Sequence, residues 1–188
     1  LIEVSLIEAI LDMQFEVLTT YLNDGGKPPQ RSSTNSGHAY LPAPYGVYAT
    51  KDGYIAVAMN PVDRLGELLP CPPLLAYANK GQWFSHRDEI KRILADRLRS
   101  ETTAHWMAIF TAADAWASEV LDWTALMRSD AFRQLDFIQE LDIGPTQTLK
   151  ATRCPIRLDG RLLKSSVPAP AVGQHTDAIE AEFSLEPQ

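Results

Sequence analysis

The stretch Pro44–Met59, reading P-Y-G-V-Y-A-T-K-D-G-Y-I-A-V-A-M, constrains the fold more than any other part of the chain. Two runs rich in Tyr, Val and Ile flank Lys51-Asp52-Gly53, the residue types a tight reversal needs. A β-hairpin closing near Asp52-Gly53 is expected, with Gly53 free to take a positive φ. Val47 and Ala49 fall on one face of the first strand, Tyr48 and Thr50 on the other. The returning run, Tyr54 to Met59, is nearly all apolar and reads as a strand covered on both faces.

Helical periodicity surrounds this hairpin. Leu1 to Leu22 places Ile2, Leu6, Ile10, Met13, Val17 and Tyr21 on one stripe, widened by Leu11, Phe15 and Leu18. That spacing predicts one long helix with hardly a cap before it, stopped at Asn23-Asp24-Gly25-Gly26. Lys27 to Ala43 is a polar linker. Asp63 to Leu69 reads as a short helix, ended by Pro70-Cys71-Pro72-Pro73. Ser85 reads as an N-cap with Asp88 in the capping-box position, opening a helix to Arg99 whose stripe is Ile90, Ile93, Leu94 and Leu98. Thr102 or Thr103 caps a helix carrying Trp106, Ile109 and Phe110, and Thr124 to Leu135 forms another. The last third changes period. Phe137–Leu141 and Ala151–Leu158 read as short strands broken by Gly144-Pro145 and Asp159-Gly160. Ser165 to Pro170 is extended, and Asp177–Leu185 closes the chain as a short helix with Ile179 and Phe183 inward.

Composition excludes several functions. The 188 residues are 45% hydrophobic, enough for a real core, and carry a formal charge of -7. That balance argues against nucleic acid, whose phosphates call for clustered Lys and Arg. No apolar run approaches the ~20 residues of a membrane span, and no signal segment opens the chain. Cys71 and Cys154 read as two free thiols, which suggests a cytoplasmic protein. The four histidines are scattered, so no metal site is expected.

The residues offer few chemical groups in catalytic spacing. His38, in the loop Asn35-Ser36-Gly37-His38, is within reach of a substrate but has no second catalytic group near it in sequence, and reads as a solvated loop histidine. His175 reads as helix-entry structure, with Thr176 and Asp177 as caps. His86 and His105 sit among charged helix neighbours. Ser32, Ser33 and Ser36 lack the G-x-S-x-G turn of a serine nucleophile. The four tryptophans are expected as core or interface anchors.

Read together, the segments resemble one family. The P-Y-x-x-Y-x-x-K-D-G-Y-I-x-V-A strand pair is similar to the hairpin that opens the small domain of class III CoA-transferases, the CaiB/BaiF family. Glu3-Val4-Ser5-Leu6-Ile7-Glu8-Ala9 resembles the family's V-D-V-S-L-x-E-A helix. His86 to Ile90, followed by Thr102 to Trp106, resembles its paired R-x-E-L and T-x-x-E-W helices. Ala169 to Asp177 is close to its A-P-x-L-G-x-H-T-D terminus. The family includes formyl-CoA transferases and alpha-methylacyl-CoA racemases, and the likeness is to its C-terminal half.

The resemblance implies an α+β fold. Residues 1–43 would be an N-terminal helix and linker, 44–136 a small domain of a β-hairpin and several helices, and 137–188 a C-terminal extended and helical arm. Tyr45, Asp52, Gly53, Gly173, His175 and Thr176 would be signature residues with structural roles. Family members are about twice as long, and the catalytic aspartate and most coenzyme A contacts lie in their other half. Asp12, Asp52 and Asp63 do not stand in that aspartate's place. The loop Arg31–Tyr40 has one glycine where the family's transferases have several, and Asp114 to Ser118 replaces a G-V-P-x-G turn. The expectation is therefore a fragment inactive alone, with no cofactor bound firmly and coenzyme A or acyl-CoA as the ligand class. Its partner would be a second copy or a separate chain carrying the N-terminal half. The alternative is a stand-alone interaction module. A third reading, an enzyme with a new site around His38, requires His38 to face a carboxylate.

Overall fold

The computed structural model describes residues 3–144 and 146–183. The fold is α+β, and the chain divides into two compact units, one up to Leu121 and one from Asp122 onward.

In the first unit the hairpin forms as its residues demand. Strand β1 (Gly46–Ala49) pairs antiparallel with β2 (Tyr54–Val57), with Val47 opposite Ala56 and Tyr48 opposite Ile55. Tyr48, Ile55 and Val57 turn to the core, whereas Val47 and Tyr54 are exposed. β2 is thus covered on one face, not two. Its outer neighbour is β3 (Ala117–Glu119), so the sheet order is β1-β2-β3. Gly53 keeps an ordinary φ. Glycine is required there by space: a Cβ would lie 2.8 Å from the Thr103 hydroxyl.

Helices cover the inner face. α3 (Val62–Leu68) runs into the 3-10 segment Pro72–Tyr77, and the prolines end the α-helix as expected. After the short α4 (Gln82–Ser85) come α5 (Arg87–Leu98) and α6 (Thr103–Ala112). Leu65, Leu69, Leu74, Ile90, Leu94, Leu98, Trp106 and Phe110 pack with Tyr48 and Ile55 into one core. Thr102 caps α6 through the His105 N–H. Ser85 does not cap α5. It ends α4, and Asp88 turns away to bond Ser32 and Ser33.

The expected N-terminal helix is two helices, α1 (Leu6–Asp12) and α2 (Phe15–Asn23), broken at Met13-Gln14. Ser5 does cap α1, its hydroxyl accepting the Glu8 N–H. Gly25 and Gly26, at φ +85° and +68°, turn the chain out of α2. Leu1 and Ile2 lie outside the described residues.

The second unit opens with α7 (Trp123–Arg128) and α8 (Asp130–Gln134), where one helix was expected. Ser129 divides them by leaving helical φ/ψ and capping α8 through the Phe132 N–H. β4 (Ile138–Gly144) and β5 (Gln147–Thr152) form a hairpin. The strand expected over Ala151–Leu158 is interrupted: β5 ends at Thr152, and β6 (Arg157–Leu158) pairs with β7 (Arg161–Leu162) around Asp159-Gly160. Arg153, 4% exposed, donates to the Leu135, Asp136 and Cys154 carbonyls and stacks on Phe137. α9 (Thr176–Phe183) follows Gly173 at φ +79°. The expected helix end at Leu185, and Pro145, lie outside the described residues.

Candidate functional site

The linker before β1 is held by α5. Arg87 donates to the Gln30 carbonyl (2.6 Å) and the Ala39 carbonyl (3.0 Å). Asp88 accepts from the Ser32 hydroxyl, the Ser33 hydroxyl and the Ser33 N–H at 2.7, 2.7 and 2.9 Å. Those bonds, the Ser33 hydroxyl foremost, hold the Asp88 carboxyl down to about 2. Lys91, fully buried, donates to the Asn35 carbonyl at 3.4 Å. Burial, with Arg87 nearby, pushes the Lys91 ammonium below its ordinary pKa.

From this platform the candidate loop, Asn35 to His38, reaches the sheet edge. Asn35 adopts a left-handed φ of +48° and donates from its amide to the Val47 carbonyl of β1 at 2.6 Å. Gly46 must be glycine for this approach, because a Cβ there would sit 2.1 Å from the Asn35 carbonyl oxygen. Gly37 lies against the Tyr45 ring, where a Cβ would be 2.9 Å away. The Ser36 hydroxyl is buried without a hydrogen-bond partner among the described residues, as is that of Tyr40. Burial first, and the Asp24 carboxylate second, raise the Tyr40 phenol above its ordinary pKa.

Gly37 borders two clefts. One, of about 410 Å³, is lined by Gln14, Phe15, Glu16, Arg31 and His38 among others. The other, of about 570 Å³, is apolar and runs over the outer face of the sheet between Tyr45 and Trp116. In the first, His38 Nε2 lies 3.8 Å from a Glu16 carboxylate oxygen. The third sequence reading required this pairing, and α2 supplies it. Nδ1 of His38 accepts the Tyr40 N–H at 3.2 Å, so a neutral ring carries its proton on Nε2, facing Glu16. Nδ1 is thus occupied by the backbone, while Nε2 is within ion-pairing but not hydrogen-bonding distance of Glu16 and is left to meet a ligand in the cleft.

Asp52 accepts from the Thr103 N–H and hydroxyl, contacts that lower its pKa. Gly173, His175 and Thr176 lie in the second unit at the entry to α9, where Thr176 N–H bonds the Gly173 carbonyl and the His175 carbonyl accepts from Ile179. Sequence reasoning missed Glu16, Lys91 and the Asp88–serine clamp. All three act across long sequence separations with no local signal.

The comparisons decide the family. The family model described as CoA-transferase family III matches residues 1–176. The chain belongs to that family. It is 23% identical over 164 residues to human succinyl-CoA:glutarate CoA-transferase, covering 84% of this chain and 37% of that protein. The mouse protein of the same name is 22% identical over 173 residues, 89% of this chain and 39% of its own length. Among solved structures, Rv3272 from M. tuberculosis superposes with a TM-score of 0.69 at 21% identity, over 94% of this chain and 46% of the other. A CAIB/BAIF family protein from Brucella suis gives 0.61 at 20% identity, over 90% and 44%. At these identities the solved structures establish a shared fold. The chain spans less than half the length of each of these relatives.

Proposed function

We propose that this chain supplies the small-domain side of an acyl-CoA site and does not transfer coenzyme A by itself. The carrying observation is the chemistry of the loop Asn35–His38. It presents Gly37 and the His38 ring to the clefts, above a buried Ser36 hydroxyl that has no partner among the described residues. The carboxylate beside it, Glu16, lies 3.8 Å from His38, and Asp52 is bonded to Thr103, so neither is assigned as a nucleophile. In the curated relatives the matched stretch is only 37 to 39% of the protein. The family's chemistry, by this reading, needs residues beyond the matched stretch.

The test is a titration of the chain with coenzyme A and with succinyl-CoA, following thermal stability, beside an assay of CoA transfer from succinyl-CoA to glutarate. A ligand that binds only the native state raises stability by about 2.7 kcal/mol at a hundredfold excess over Kd. A shift without turnover supports the proposal. Turnover by the chain alone overturns its second half, and no shift at millimolar ligand overturns its first.

A second reading, a stand-alone interaction module, is favoured by one observation: α1 and α2 bury none of their residues. Leu6, Ile7, Phe15 and Leu22 are each exposed. The partner would be a second copy or a separate chain bearing the rest of the family's length.

A further inference from the structure

Lys91 is a fully buried cation beneath the candidate loop. Among the described residues no carboxylate lies within ion-pairing distance of it. Its hydrogen bond to the Asn35 carbonyl is long at 3.4 Å. An ammonium has three donors, so two have no partner among the described residues. The Asp88 carboxylate one turn away attracts it without pairing, and a buried charge held this loosely is a weak structural fastening, because an apolar side chain of similar volume fills the same space without desolvating an ion. Above it, Asn35 is held left-handed, and Ser36 keeps a buried hydroxyl without a partner among the described residues. Arg87 and Asp88, one turn earlier on α5, already anchor the flanks of the loop at Gln30, Ser32, Ser33 and Ala39. Of these three α5 side chains, Lys91 is the one that bonds Asn35 at its centre.

We propose that Lys91 is a positioning residue for ligand binding: it fixes the Asn35 carbonyl so that Gly37 and His38, which line the clefts, face an acyl-CoA thioester. The inference rests on the reading that this loop meets the thioester. Its work is done through Asn35, and the ammonium itself does not touch the ligand. The energy tied up in the buried charge is recovered as an ordered loop and not as global stability.

The experiment compares the wild type with Lys91→Met and Lys91→Gln. Succinyl-CoA affinity is measured by calorimetry, thermal midpoint by scanning, and backbone amide exchange at residues 35–38 by mass spectrometry or NMR. The expected result for Lys91→Met is a thermal midpoint unchanged or higher, thioester affinity at least tenfold weaker, and faster exchange at Asn35 to His38. Lys91→Gln, which keeps a donor without the charge, is expected to restore part of the exchange protection and keeps the test open if Lys91→Met does not fold. A midpoint that falls in step with affinity, with exchange raised over the whole first unit, overturns the proposal in favour of a purely structural lysine. So does affinity within twofold of wild type. If the wild type binds no thioester, the reading of the loop as a ligand site falls. Exchange at residues 35–38 then decides separately whether Lys91 orders the loop, and unchanged exchange overturns that too.

Discussion

Asp52 accepts both the backbone N–H (2.8 Å) and the hydroxyl (3.0 Å) of Thr103, fastening the β1–β2 turn to the first residue of α6. The same hydroxyl shares a 2.6 Å bond with Thr50, whose oxygen in turn accepts the Gly53 N–H. Thr103→Val keeps the shape and removes the hub. Losing a buried hydroxyl partner costs about 1–3 kcal/mol. Urea unfolding of the variant should show a lower midpoint with an unchanged m-value. An unshifted midpoint would mean that the turn is held by its backbone bonds, Thr103 N–H to Asp52 and Lys51 N–H to the Glu101 carbonyl, without the hydroxyl.

Asp88 sets an acid limit on the linker. Its folded pKa is about 2, against an ordinary value of 3.8. As pH falls the unfolded chain takes up the proton first. The stability that Asp88 contributes is therefore complete above about pH 4 and drains away between there and about pH 2. Asp88→Asn should flatten this part of the stability–pH curve, and Ser33 amide exchange should rise. The effect is modest because the bonds are largely solvent-exposed. A curve of unchanged slope would remove Asp88 from the account of the loop.

The core makes a sharper prediction. Trp106 is fully buried, donates its indole N–H to the Leu98 carbonyl at 2.7 Å and stacks under Arg97. Trp106→Ala should cost about 3–5 kcal/mol, enough to unfold much of a marginal domain. Trp106→Phe keeps most of the bulk and leaves the Leu98 carbonyl without the indole donor, so a smaller loss is expected. Equal losses in the two variants would show that the hydrogen bond, and not the packing, sets the cost.

These residues also show where sequence was a sufficient guide. The hairpin was legible because β-forming residues alternate around Asp52-Gly53, and the Thr102 cap because its donor lies three residues away. Each signal is local. β3 was not legible, since Ala117-Ser118-Glu119 has neither β-branched residues nor alternation and becomes a strand only by pairing with β2. Ser85 and Asp88 have the spacing of a capping box, yet Ser32 and Ser33 compete for Asp88 from across the fold and win with three bonds. The break at Met13-Gln14 carries no Gly or Pro. Within the candidate site, the loop itself was legible as a polar linker with His38. Its support by Lys91 and Glu16 depends on tertiary placement that no spacing rule encodes.

The exposed faces of α1 and α2 give the last prediction. Leu6 is 85% exposed, Leu22 68% and Phe15 65%. Isolated helices this short are marginal in water, so packing is expected to provide most of their stability. The described residues leave the face open, and burial of such side chains is worth about 1.5–3 kcal/mol each. Sedimentation over a dilution series is expected to show concentration-dependent self-association, or stable complex formation with a chain carrying the rest of the family's length. Leu6→Glu together with Phe15→Glu should weaken the association at least tenfold, because a carboxylate would have to be desolvated at the contact. Both side chains are exposed, so the variant's own unfolding free energy should stay within about 0.5 kcal/mol of wild type. A wild-type chain that stays monomeric at every concentration, and that a chain bearing the family's other half does not bind, would leave these helices without the role argued for them.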